Sequence, residues 1–141
     1  MLILFMLSAL LIGCSAKDEV KPSADSLLAK DAFAKIDVIR DAYQRKDKGL
    51  LQDNADPGVA ESLIQNLAFD KAELSFNPTI YKITDEFIVV TLTWQGNWQD
   101  AKNVRLENRG VTNFVLQKDA LKLIKISGDN PFLMPVSANI R

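Results

Sequence analysis

Phe87 to Trp94 reads FIVVTLTW. Each residue is apolar, aromatic or β-branched, the composition of a pleated, half-buried surface, and no Gly or Pro interrupts it. The run is a strand, and its neighbours read outward from it. Downstream, Val104 to Gln117 predicts a long strand, kinked at Gly110. Lys118-Asp119-Ala120 predicts a hairpin turn, and Leu121 to Ser127 (LKLIKIS) the returning strand. In that strand Leu121, Leu123, Ile124 and Ile126 are apolar, and Lys122 and Lys125 are polar. Gly128-Asp129-Asn130-Pro131 then stops the sheet. Upstream, Leu74, Phe76, Ile80 and Ile83 predict one strand, or a pair broken near Asn77-Pro78. Pro78 cannot donate to a ladder, so an edge or a bulge belongs there.

Before Asp70 the apolar period is 3.6 rather than 2. Phe33, Ile36, Ile39 and Tyr43, extended by Leu28 and Ala32, form one stripe of a helix over about Ser26 to Lys46. Asp25 or Ser26 is the expected cap, and Gly49 marks the latest end. Asp56 followed by Pro57 opens a second helix, with Val59, Leu63 and Leu67 as its apolar face and Ile64 beside them. Asp47 to Ala55 leaves room for a short helical turn between the two.

The 141 residues suit one domain. Seventeen basic and eighteen acidic side chains leave a formal net charge of −1, with no excess for nucleic acid to exploit. There is no His and a single Cys. That composition excludes Ser-His-Asp and Cys-His catalysis, an internal disulfide and the usual structural zinc sites. No Gly-rich phosphate loop or clustered metal-ligand spacing is present. The expectation is therefore no metal and no cofactor.

Met1 to Gly13 reads MLILFMLSALLIG and carries no charged side chain. It is shorter than the roughly 20 apolar residues of a spanning helix but matches a signal-peptide core. The polar stretch Ser15 to Asp25 follows. Leu11-Ile12-Gly13-Cys14 resembles the lipobox of bacterial lipoproteins, though no Lys or Arg precedes the apolar run. The resemblance implies cleavage before Cys14 and acylation of its thiol, with chains such as palmitate anchoring the protein to a membrane. It implies four segments: a signal peptide at 1–13, a lipidated Cys and tether at 14–25, one domain at 26–135 and a tail at 136–141. Ser15, in place of the Asp that retains enteric lipoproteins at the inner membrane, favours the periplasmic face of the outer membrane in a Gram-negative cell.

Helices followed by about four antiparallel strands make an α+β layout. The amphipathic opening helix ending in Tyr43-Gln44-Arg45-Lys46-Asp47, the Val89-to-Trp94 strand, and the closing hairpin from Gly110 through Lys118-Asp119 to Gly128 resemble the nuclear transport factor two-like, or cystatin-like, family. The resemblance implies N-terminal helices packed on a curved sheet, forming a cone with a pocket on its concave face. Some members of the family are isomerases, dehydratases or cyclases, and others bind ligands or partners. Some pair through the sheet, so a homodimer is open to this chain, although no residue demands one.

Family isomerases set a carboxylate base opposite a Tyr or Asp oxyanion donor in an apolar pocket. Tyr43, Tyr81, Asp41, Asp85 and Glu107 supply those residue types, but no position matches a family catalytic motif, and no catalytic residue is assigned. Tyr43 also continues the helix stripe, and Asp85-Glu86 also reads as a solvated turn. Trp94 and Trp98 offer either a ligand platform or, respectively, sheet core and strand-end cover. Arg105, Glu107 and Arg109 share one sheet face, where they line a polar pocket or meet solvent. The candidate pocket residues are Tyr43, Tyr81, Trp94, Arg105 and Arg109, with Cys14 for lipidation. The tail Phe132 to Val136 either packs back on the domain or offers an apolar patch. The leading expectation is a non-catalytic, lipid-anchored envelope protein binding a small molecule or partner. The alternatives are a structural subunit of an envelope or secretion complex, and a small isomerase or lyase.

Overall fold

The computed structural model describes residues 21–136. Met1 to Gly13, Cys14, most of the tether and residues 137–141 lie outside these. Three helices precede four strands: α1 (Ala24–Arg45), α2 (Lys48–Asn54), α3 (Pro57–Gln65), β1 (Lys71–Ile83), β2 (Phe87–Gln99), β3 (Arg105–Gln117) and β4 (Leu123–Gly128). The strands form one antiparallel sheet in the order β1-β2-β3-β4. Among the described residues no helix is long and apolar enough to cross a membrane.

Local chemistry sets the helix ends. α1 starts earlier than expected, because Ser23 rather than Asp25 or Ser26 accepts the Ser26 N–H as cap. It stops at Arg45, where Lys46 takes a left-handed conformation and its N–H closes on carbonyls of the last turn. Asp47 caps α2 by accepting the Leu50 N–H. Asp56 caps α3 with Pro57 at its first position, as the sequence reads. α3 ends at Gln65, so Leu67 packs against the core from the following loop.

β1 is one strand with a register shift between Pro78 and Ile80. A bulge reverses the alternation that follows it. Ile80 therefore points outward and is 61% exposed, while Tyr81 and Ile83 pair with Val90 and Ile88 on the inner face. β2 continues past Trp94 to Gln99 and buries every second residue from Ile88 to Trp98. β3 pairs with β2 in an unbroken register that runs through Gly110. β4 begins at Leu123 rather than Leu121. Leu121 has φ +49° and closes the turn by donating its N–H to the Gln117 carbonyl.

α1 lies along β1 in the opposite direction. The Gln44 amide oxygen accepts the Leu74 N–H, and the Arg40 guanidinium sits 5.8 Å from the Phe76 ring. Gln44 thus covers one of the N–H groups that an edge strand leaves unpaired. At the other edge, the Asp56 N–H donates to the Leu123 carbonyl, and Ala55 bridges that residue. The core fills the space between the helices and the sheet's inner face.

Candidate functional site

Tyr43 stands at the centre of the cone, fully buried. The α1 stripe puts it there, one turn after Ile39 and facing the sheet. Its hydroxyl lies 3.0 Å from the Phe132 carbonyl and 3.2 Å from the Asn66 carbonyl, which share its single proton. It accepts a 3.4 Å bond from the Trp98 indole N–H. Burial pushes its hydroxyl up to about 12, against the lowering effect of the Trp98 bond. The phenol is thus neutral at ordinary pH and already has a partner for its proton.

Aromatic rings occupy the volume around it. The Phe69 and Phe132 rings lie 4.9 Å from that of Tyr43. Phe132 also meets Phe76 and Phe114, each at 5.9 Å. Trp94 and Trp98 meet edge to face at 6.3 Å. Trp98 is core rather than strand-end cover, since it is 1% exposed. Gly96 makes room for it, because a Cβ there would strike the Trp98 ring and the Leu74 side chain. The tail divides: Pro131 and Phe132 pack into the domain, while Leu133 and Val136 are exposed. Phe132 thus fills the space that a pocket on the concave face would need.

Tyr81 lies at the rim, half-exposed, near Asp37 of α1. The Asp37 carboxyl is held above its ordinary value, first by burial, then by the charge of Asp41, and is opposed by Arg40. Arg40 pairs with Asp37 at 2.8 Å and Asp41 at 3.1 Å. A carboxylate and a tyrosine do come together here, but at a surface where Arg40 engages the carboxylate. Asp85 and Glu86 lie in the exposed β1–β2 turn.

Arg105, Glu107 and Arg109 lie on the opposite, outer face of the sheet and are exposed. Register places them in cross-strand rungs: Lys71, Gln99 and Arg105; Glu73, Asn97 and Glu107; Ser75, Gln95 and Arg109. Charge alternates between rungs as positive, negative, positive. Lys71 bonds Glu73 at 2.7 Å, and this bond, with Arg105 further off, holds the Glu73 carboxyl below its ordinary value. Shallow depressions run along these rungs. The five candidate pocket residues therefore form no common site. Tyr43 and Trp94 face the interior, Tyr81 the rim, and Arg105 and Arg109 the far side. Lys71 and Glu73 were missed because only strand register reveals their rungs. Phe132 was left undecided because nothing local assigns its partner.

Three helices on one antiparallel sheet, with the core between them, define the nuclear transport factor 2-like α+β cone. The chain is similar to a nuclear transport factor 2 (NTF2-like) superfamily protein from Salmonella enterica subsp. enterica serovar Typhimurium str. LT2. The TM-score is 0.65 at 12% identity, over 83% of this chain and 97% of that one. At this identity the likeness is one of fold. No family model matches the sequence, and no curated protein matches it.

Proposed function

We propose that the protein is a non-catalytic subunit of a bacterial envelope assembly. It is lipid-anchored at Cys14 and engages a protein partner through the outer face of its sheet. The observation that carries this reading is the filled interior. Phe132 occupies the concave face, and the buried Tyr43 hydroxyl is bonded to main-chain carbonyls. A reaction or small-ligand site needs a concave space with convergent polar groups. The outer face instead offers width, alternating charged rungs and, among the described residues, no covering helix.

The anchor reading rests on Leu11-Ile12-Gly13-Cys14 and the apolar run before it. It fits the direction of α1. Because α1 and β1 are antiparallel, a tether entering at Ala24 arrives at the β1–β2 turn, opposite the Lys71 and Arg105 rung. An extended tether of about ten residues would hold the domain roughly 30 Å from a bilayer at ~3.3 Å per residue. The charged rungs would then project away from the membrane toward a partner of reciprocal charge.

Two measurements test this. Mass spectrometry of the membrane fraction should find an acylated Cys14 terminus, and Cys14→Ser should release the protein from membranes. An intact Met1 terminus would end the anchor reading. Photo-crosslinkers at Asn97 and Thr93 should trap one defined partner protein, and a crosslinker at Gln52 of α2 should not. Equal labelling from both faces would end the docking reading.

A further inference from the structure

On the helical side of the cone, away from the sheet's outer face, a groove of about 650 Å³ is lined by Gln52 of α2 and by Pro57, Ala60, Glu61, Ile64 and Gln65 of α3. Pro57, Ala60 and Ile64 follow one another at spacings of three and four, so they form one apolar stripe along α3. Glu61 is the one charged side chain of this lining. It is exposed and accepts a 3.4 Å bond from the Gln65 amide, and among the described residues it has no ion pair.

The tail reaches the surface beside this helix. The Tyr43 hydroxyl touches both the Phe132 carbonyl and the Asn66 carbonyl, so Phe132 sits next to the residue that follows α3. Met134 then packs against the core, Pro135 is half-buried, and Val136 is 92% exposed. The sequence continues as Ser137-Ala138-Asn139-Ile140-Arg141. Five extended residues span roughly 16 Å at ~3.3 Å each. The nine residues of α3 rise roughly 13 Å at ~1.5 Å each. The segment therefore has the length of the helix and starts near its end. Its chemistry matches the groove as well. Ile140 is a branched apolar side chain for the Pro57–Ala60–Ile64 stripe, and the Arg141 guanidinium suits the Glu61 carboxylate.

We propose that residues 137–141 run back along α3 and fill this groove in cis, with Ile140 on the apolar stripe and Arg141 paired with Glu61. The chain then fastens its own tail to the helical side of the cone and closes that side to partners. The outer-face docking proposed above uses the other side of the molecule and does not depend on this contact.

A photo-crosslinker at Ile140 of the purified full chain tests the path. It should attach within the same chain to Gln52 or to the stretch from Pro57 to Gln65. Attachment to a second copy, seen as a dimer on a denaturing gel, or to residues elsewhere in the chain would overturn the proposal. Glu61→Lys should lower the yield of the internal adduct by about 2–5-fold, the weight of one exposed ion pair. Glu61→Lys combined with Arg141→Glu should restore it. An unchanged yield in Glu61→Lys would overturn the pairing. Carbodiimide labelling of the Glu61 carboxylate reads the same contact without a crosslinker. It should be slower in the wild type than in a variant carrying Ile140→Ser and Arg141→Ser, and equal rates would show the groove uncovered and overturn the proposal.

Discussion

The Tyr43 hydroxyl donates to the Phe132 carbonyl at 3.0 Å while the two rings meet 4.9 Å apart. One residue of the first helix thus holds the last fully buried residue of the described chain by both its main chain and its side chain. The contact joins positions 89 apart in sequence and closes the cone. It also makes Tyr43 unsuited to oxyanion chemistry, since the group that would donate to a substrate already serves the fold.

Tyr43→Phe keeps the ring and removes the hydroxyl. The Phe132 and Asn66 carbonyls and the Trp98 indole N–H each lose a partner in a buried setting. Leaving such groups unsatisfied costs about 1–3 kcal/mol. Urea unfolding should show a lower midpoint at unchanged slope. An unchanged midpoint would mean that water replaces the hydroxyl.

Alkaline pH should act through the same residue. Burial raises the Tyr43 hydroxyl to about 12, above its ordinary 10, so the folded state favours the protonated form. The stability linked to that proton is complete below pH 10 and is lost as pH rises toward 12. A shift of this size corresponds to roughly 2–3 kcal/mol. Burial also raises Tyr81, though it is more exposed, so a smaller loss in the same direction persists without Tyr43. Stability measured between pH 9 and 12 should fall steeply in the wild type and more gently in Tyr43→Phe. Parallel curves would contradict the assignment.

The architecture was legible where local chemistry decides it. Asp56-Pro57 announced α3, the Phe33-to-Tyr43 stripe announced α1, and FIVVTLTW announced β2. Errors arose where one residue changed a period or a contact came from far away. The bulge before Ile80 reversed which of Ile80 and Tyr81 faces inward. The FIVVTLTW run stopped at Trp94. Gln95 and Asn97 in fact form the outward half of continuing β2, and Gly96 clears space for Trp98. Arg105 and Arg109 could be placed on one face from spacing alone. That this face is the outer one depends on the packing of the whole sheet.

Phe132→Ala and Leu133→Ala should differ sharply although they are neighbours. Phe132 is fully buried among three rings, whereas Leu133 is 45% exposed. Truncating a buried Phe costs about 3–5 kcal/mol, and an exposed position changes stability by about 0.5 kcal/mol or less. Thermal unfolding of the two variants decides between a docked tail and an ornamental one. Similar losses at both positions would argue that the tail is not seated through Phe132.

Gly96→Ala tests the close approach of Trp98. The added methyl would collide with the indole and with Leu74, both packed in the core. Overpacking of this kind costs typically ~1–3 kcal/mol. The Trp98 ring would have to tilt, disturbing its bond to Tyr43 and its edge-to-face contact with Trp94. Near-ultraviolet circular dichroism, which reports fixed tryptophan environments, should change along with stability. An unaltered spectrum and midpoint would place the indole elsewhere.

Arg105→Glu with Arg109→Glu separates docking from folding. Both side chains are exposed on the outer face, and neither forms an ion pair among those seen in the described residues. The inner core does not touch them, so the folding free energy should change by no more than about 0.5 kcal/mol per site. The double change makes the charge of the first rung mixed and that of the third negative, beside the existing Glu73 and Glu107. A partner with reciprocal bands would then meet like charges, which slows association and suppresses docking. Crosslinking from Asn97 should therefore drop at unchanged melting temperature. Raising the salt concentration should weaken the wild-type crosslink, because exposed charges separated by more than roughly 10 Å are screened at 0.1 M salt. A crosslink that survives both the reversal and the salt would show that the outer face docks without using its charge pattern.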